Sequence, residues 1–176
     1  MIKLYLYYKS LGDKTLERLT DEELNWQYND DSNSVAIIVK HMWGNMLSRW
    51  TDFLTSDGEK EGRDRDGEFD PGHLTKEKIL EKWDEGWACV FKALEPLTDG
   101  DMQKIVYIRN EVHTVEEAVQ RQLAHYAYHV GQMVFLGKMI KGSAWSSLSI
   151  ARNKSKEFNE GKFALSPEVK HFSDEK

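Results

Sequence analysis

Two histidines four residues apart, His125 and His129, lie in the stretch RQLAHYAYHVGQMVF, residues 121–135. On a helix, positions i and i+4 are stacked one turn apart, with Cβ atoms about 6 Å from each other. Two imidazoles at that spacing can converge on one ion at roughly 2.0–2.1 Å from each nitrogen. Advancing each residue by about 100° puts both histidines on one face with Val115, Ala118, Gln122, Met133, Leu136 and Ile140, in the middle of an apolar stripe. A pair is not a site, and His41 in IIVKHMWGNM is the third candidate ligand. It has Ile37, Ile38 and the small Gly44 nearby, and Asn45 and Ser48 on adjacent turns, which would leave room for solvent or substrate. Three imidazoles on one ion leave at least one position open, the pattern of a catalytic rather than a closed structural site. The plain alternative is two unrelated histidines, one solvated and one hydrogen-bonded in a core. An HxxxH spacing also arises by chance in a chain with six histidines, and spacing alone leaves both readings open.

Other reactive side chains read more simply. His73 falls in a charged loop and should be solvated. His113 precedes a helix cap and fits a structural role, with lining of the bundle mouth as the alternative. His171 lies near the end of the chain. Cys89, the single cysteine, sits in GWACVF, where a small core residue is the simpler reading than a nucleophile. Glu116 and Glu117 suit a helix N-terminus, and Trp83 and Trp87 suit a core. No GxSxG, Walker, Rossmann-glycine or CxxC pattern is present. No catalytic residue is assigned.

The elements that must position the histidines are helices. A first helix is expected over about 2–18, with Gly12 as a weak point. TDEEL forms a helical turn, and an Asn/Asp/Ser loop ends in Ser34, a good N-cap. The second helix runs from about 35 to 55. SDGEKEGRDRDGEFDPGH is charged, glycine-rich and poor in apolar residues, so a solvated loop is expected there. Thr75 caps a third helix over about 76–95, ended by Pro96. KIVYIRNEVHTV alternates, which fits a short hairpin or extended crossover. Thr114 and Glu117 form a capping box that opens the fourth helix, about 115–140, closed by Gly142. Trp145, Leu148, Ile150, Phe158 and Phe163 are expected to pin the polar C-terminal segment to the helices, with the extreme end disordered. Four amphipathic helices and one long crossover make an all-α four-helix bundle, residues 1–163, with a flexible tail over 164–176.

Composition narrows the function. With 176 residues and 40% apolar content, one domain with one core is expected. A net charge of −6 and no basic stripe argue against nucleic acid as partner. No apolar run reaches about 18 residues, so no membrane span is expected. MIKLYLYYKS is too short in its apolar part and too polar for a signal-peptide core. The lone cysteine forms no intramolecular disulfide, and the cytoplasm is the expected location.

The histidine pattern and its flanks resemble the DinB/YfiT-like superfamily of small metalloenzymes. SNSVAIIVKHMWGNMLSRWTDFLTSDGEK, VYIRNEVHTVEEAVQRQLAHYAYHVGQ and WSSLSIARNKSKEFN, in that order, look like a DinB-related bacterial family of unknown function. The resemblance covers about residues 5–163. It implies an up-up-down-down four-helix bundle, often a homodimer, with a nickel- or zinc-type divalent ion on His41, His125 and His129. Some relatives are thiol-dependent transferases or isomerases, in which the metal activates a thiol such as bacillithiol or mycothiol. No thiol-recognition motif stands out in this chain.

Two functions compete. In the first, a metal-dependent transferase or hydrolase acts on a small molecule, the ion lowering the pKa of a thiol or water at its open position. Asn45, Gln122, Tyr128 and Gln132 are then the residues that would orient substrate or a ligand imidazole. In the second, the chain is a non-catalytic dimeric bundle with a structural or vestigial site.

Overall fold

The computed structural model describes residues 2–174. The chain is mostly helical, with α1 over Ile2–Arg18, α2 over Asp21–Asn25, α3 over Val35–Trp50, α4 over Lys76–Leu94, α5 over Val115–Lys141 and α6 over Ser155–Phe163. The strands β1, Ile105–Ile108, and β2, Glu111–Thr114, pair antiparallel. Helix starts follow local chemistry. The side chains of Thr20, Ser34, Thr75 and Thr114 each accept a backbone N–H of the first turn. Glu23 and Glu117 complete capping boxes by reaching back to the cap amides. Gly142 takes φ 53° at the end of α5, where a residue without Cβ turns freely.

α3 ends at Trp50, short of the expected residue 55. Thr51 is extended, and Asp52 adopts φ 49°, a left-handed conformation that Asp tolerates better than most residues. The Thr55 and Ser56 amides then both donate to Asp52 O. The chain therefore turns where an apolar pattern alone would have continued the helix.

α3 lies against α4 and α5, and α1 against α5 and α4. Between them Tyr5, Trp50, Trp87 and Tyr126 form a buried aromatic centre. Tyr5 meets Trp50, Trp87 and Tyr126 edge-on at 6.2–6.4 Å, and Trp87 meets Tyr126 at 5.6 Å. Three of the four polar tips are satisfied in place, while the Trp87 Nε1–H has no partner among the described residues. Tyr5 Oη donates to Val119 O (2.7 Å), Trp50 Nε1 to Tyr126 Oη (2.8 Å), and Tyr126 Oη to Asn45 Oδ1 (3.1 Å). Gly12, a weak point by propensity, is where the Trp83 ring crosses α1, and any Cβ there would run into that ring.

The hairpin turn is Arg109-Asn110, both at positive φ, the two-residue geometry whose twist matches paired strands. Arg is an uncommon residue for that conformation, and the turn is held from outside. The Arg109 and Asn110 amides donate to the Asp57 carboxylate at 2.8 and 2.7 Å, and the Gly58 amide donates to Tyr107 O. The charged stretch expected to be a solvated loop is thus fastened to the hairpin through Asp57 and Gly58, while residues 61–62, 64–66 and 70–73 within it are exposed as expected.

In the C-terminal segment, Trp145 is half-buried with the Arg18 guanidinium 4.9 Å from its ring centre. α6 contributes no buried residue, and Phe163 is 85% exposed, so the expected pinning by Phe158 and Phe163 is not met. Phe172 instead meets Tyr7 at 4.9 Å, and Lys3 pairs with Asp174. The extreme end, residues 175–176, for which disorder was expected, lies outside the described residues. Among the described residues, no helix is long and apolar enough to cross a membrane.

Candidate metal centre

α3 carries His41 and α5 carries His125 and His129, and their ligand atoms lie within 4.8 Å of one another. His125 Nε2 is 3.3 Å from His41 Nε2 and 3.1 Å from His129 Nε2. Nitrogens sharing one tetrahedral ion at 2.0–2.1 Å stand about 3.3–3.4 Å apart, so this spacing fits a single cation. His41 is 5% and His129 8% exposed, while His125 is half-buried.

The far nitrogens explain why the near ones face inward. His41 Nδ1 is 2.9 Å from Glu68 Oε2, and His129 Nδ1 is 2.8 Å from Gln132 Oε1. A carboxylate and an amide oxygen only accept, so each Nδ1 carries a proton, and in the neutral ring Nε2 is then the nitrogen that offers a lone pair. Burial, then the neighbouring His129 and His41, lowers His125 to about 3 from an ordinary 6.5. Burial also lowers His129 to about 4, although its bond to Gln132 works the other way. Both rings are neutral near pH 7, the state a metal ligand requires. The three histidines could hold a metal ion, and the donor set fits one.

Their position on α5 departs from the expected one. The fully buried line of the helix runs through Val119, Tyr126, Val130 and Met133, and the histidines occupy its flank. Tyr126 and Val130 belong to this line but not to the stripe read from periodicity, which was centred too far round the helix. The flank position is what leaves one edge of His125 open.

Glu68 is the residue beside the histidines that sequence reasoning missed. It is 6% exposed in a short 3₁₀ turn, Gly67–Phe69, inside the charged stretch. Arg63 grips it with two bonds, Nε to Oε1 at 2.7 Å and Nη2 to Oε2 at 2.9 Å. Burial alone would raise the Glu68 carboxyl, but the hydrogen bonds from His41 and Arg63 and the Arg63 charge together hold it below its ordinary range. Phe69 lays its ring 4.7 Å from that of His41. The available signal was a lone Phe beside Glu within a run of charges, together with the rule that a ligating histidine usually has a carboxylate or carbonyl behind it.

The other expected site residues separate. Gln132 backs His129. Tyr128 is 63% exposed, with its ring 4.9 Å from that of His129. Asn45 is buried and accepts from Tyr126 in the core network. Gln122 is buried, and its Oε1 has no hydrogen-bond partner among the described residues. Ser48, expected to leave space beside His41, instead donates to Gly58 O at 2.9 Å. His73 is exposed, and His113 is half-buried 3.4 Å from Arg121. Cys89 is half-buried rather than buried, with Sγ 3.9 Å from Met46 O.

Residues 1–154 match the family described as Protein of unknown function (DUF1572). The chain belongs to the DUF1572 family. No curated protein and no solved structure matches it. The DUF1572 match takes in α1 through α5, and with them the three histidines, Glu68 and Gln132, and it stops just before α6.

Proposed function

We propose that this DUF1572 protein is a DinB-like four-helix-bundle metalloprotein. It binds one divalent ion, nickel or zinc, through Nε2 of His41, His125 and His129, and acts as a metal-dependent transferase or hydrolase on a small molecule. A low-molecular-weight thiol is the co-substrate class most consistent with the resemblance. The observation that carries the reading is the convergence of three Nε2 atoms, that of His125 lying 3.3 Å from His41 Nε2 and 3.1 Å from His129 Nε2, with the far nitrogens of His41 and His129 bonded to Glu68 and Gln132. The pairing of α1, α3, α4 and α5 around one aromatic core supports an up-up-down-down bundle. When bound, the ion would supply a Lewis-acid centre that lowers the pKa of a thiol or water. The chain supplies the rest. Glu68 and Gln132 fix two imidazoles, the half-buried edge of His125 gives access, and Tyr128 offers an exposed ring and hydroxyl beside His129. The same reading expects a cytoplasmic homodimer.

Elemental analysis of protein purified without a histidine tag, followed by turnover of a thiol with a model electrophile, tests this. Metal near one per chain with thiol-dependent turnover supports it. Metal without turnover of any thiol removes the transferase, and a chain that takes up no divalent ion removes the whole reading. One observation favours a structural site instead: the tie from His41 through Glu68 to the 57–70 segment, which an ion would tighten. For that reading, His125→Ala should lower the melting temperature of the metal-loaded protein sharply with no reaction found.

A further inference from the structure

Between α3 and α4 the chain runs through a segment in which several charges are buried together. Glu68 contacts His41 on one side and Arg63 on the other. Arg63 also lies 3.5 Å from Glu59, which accepts from Arg49 of α3 at 3.1 Å and from Arg109 of the hairpin turn at 3.1 Å. Arg49 also donates to Gly58 O, and Asp57 closes the chain of contacts at the hairpin amides. This is an unbroken series of charged contacts from His41 to the β-hairpin.

Two features show that Glu68 is aimed at His41 and is not simply the partner of Arg63. Its Oε2 faces Nδ1, the nitrogen turned away from the other two histidines. And α3 has a glycine, Gly44, where the Glu68 carboxylate comes down on it; a Cβ there would collide with Oε1. Glycine in the middle of a helix is destabilising relative to alanine. At this position it is needed for the carboxylate to reach the ring.

We propose that Glu68 is a positioning residue of the metal centre: clamped by Arg63 and admitted by Gly44, it holds His41 as the Nδ1–H tautomer with Nε2 aimed at His125 and His129, and so makes residues 57–70 part of the site. The proposal rests on the metal reading above for its consequence. Its geometry concerns the chain alone.

Two variants test it, Glu68→Gln and Gly44→Ala. The first removes the charge and keeps the shape. The second keeps the charge, favours the helix and pushes the carboxylate away. Zinc affinity of tag-free protein is measured by competition with a chelator. His41 ring nitrogen shifts are followed by ¹⁵N NMR without metal, and amide hydrogen exchange of residues 57–70 is followed with and without zinc. Both variants should keep the parent's circular dichroism and bind zinc roughly 10- to 100-fold more weakly. Gly44→Ala should show His41 averaging between tautomers, and Glu68→Gln, whose amide oxygen can still accept from Nδ1, should move the His41 nitrogen shifts without that averaging. In the parent, zinc should slow exchange across 57–70. If Glu68→Gln does not fold, Gly44→Ala decides. Parent-like zinc affinity in a folded variant overturns the proposal, as do unchanged His41 nitrogen shifts. A parent that binds no zinc sinks the proposed function instead, and the His41 shifts of the variants still judge Glu68.

Discussion

Residues 57–70 and the segment from α6 to residue 174 look alike in composition. Both are polar and rich in charge, with isolated phenylalanines. Their fates differ. In the first, the Arg63 side chain is 4% exposed and grips Glu68, which is buried against His41 of α3, while Glu59 accepts from Arg49 of α3 and Arg109 of the hairpin. In the second, α6 buries nothing, and its ion pairs, Lys154 with Glu157 and Lys156 with Glu160, are local and exposed. A charge-rich stretch is built into a fold when its charges find fixed partners across the chain. Pairs made with neighbours on the same exposed helix contribute little.

The difference can be broken most sharply at Arg63. Arg63→Ala leaves Glu68 buried against His41 without its cation, and loss of one partner of a buried pair typically costs about 3–5 kcal/mol. Urea unfolding of the metal-free protein should show a loss of that size; a loss below about 1 kcal/mol would mean that the segment is not built in as described.

Acid sharpens the comparison next. His125 and His129, at about 3 and about 4, stay neutral in the folded chain while the unfolded chain takes up protons below about 6.5. The unfolded state then binds more protons, so stability rises with pH across that interval and is lost as pH falls from 6.5 toward 4. Glu68, held low, adds a contribution of the same sign, lost as pH falls through its folded value. Urea midpoints of metal-free protein should follow this curve, and a chain truncated after Lys154 should follow it equally. A midpoint that is flat between pH 4 and 6.5 would contradict it.

Asp57→Ala should cost less, about 1–2 kcal/mol, the solvent-screened value of two charge-assisted hydrogen bonds to the hairpin turn. Faster amide exchange confined to residues 105–114 would locate the loss. Truncation after Lys154 should be the mildest change, with a melting-temperature shift of about 2 °C or less and zinc affinity within about twofold of the parent. A larger loss of zinc would make the tail part of the centre.

How legible all this was depends on the range of the forces involved. α5 was readable from its capping box, Thr114 with Glu117, and from its period, and α3 from Ser34 and its apolar run. The alternation of KIVYIRNEVHTV fitted a short hairpin or an extended crossover, and the structure shows the hairpin. The pairing of His125 with His129 was legible because i, i+4 spacing is local; His41 stood only as a candidate third ligand, and it was the resemblance that joined it to them. Glu68 was not, because what removes it from water is Arg63, His41 and the gap at Gly44, none of which a charge pattern reports. The end of α3 was missed because Asp52 turns left-handed among residues that otherwise suit a helix. Phe163 was expected to pin the tail because apolar content says nothing about whether a surface is there to receive it.

Each candidate ligand on α5 has a core residue as its immediate chain neighbour, Tyr126 after His125 and Val130 after His129. The rod cannot roll about its own axis to suit an ion of another radius without dragging the Tyr126 hydroxyl off Trp50 and Asn45. His41 is fixed in the same way, with the fully buried Met42 after it and the clamped Glu68 behind it. An ion held by these three imidazoles would therefore meet a frame set by both helices, and would have to suit it.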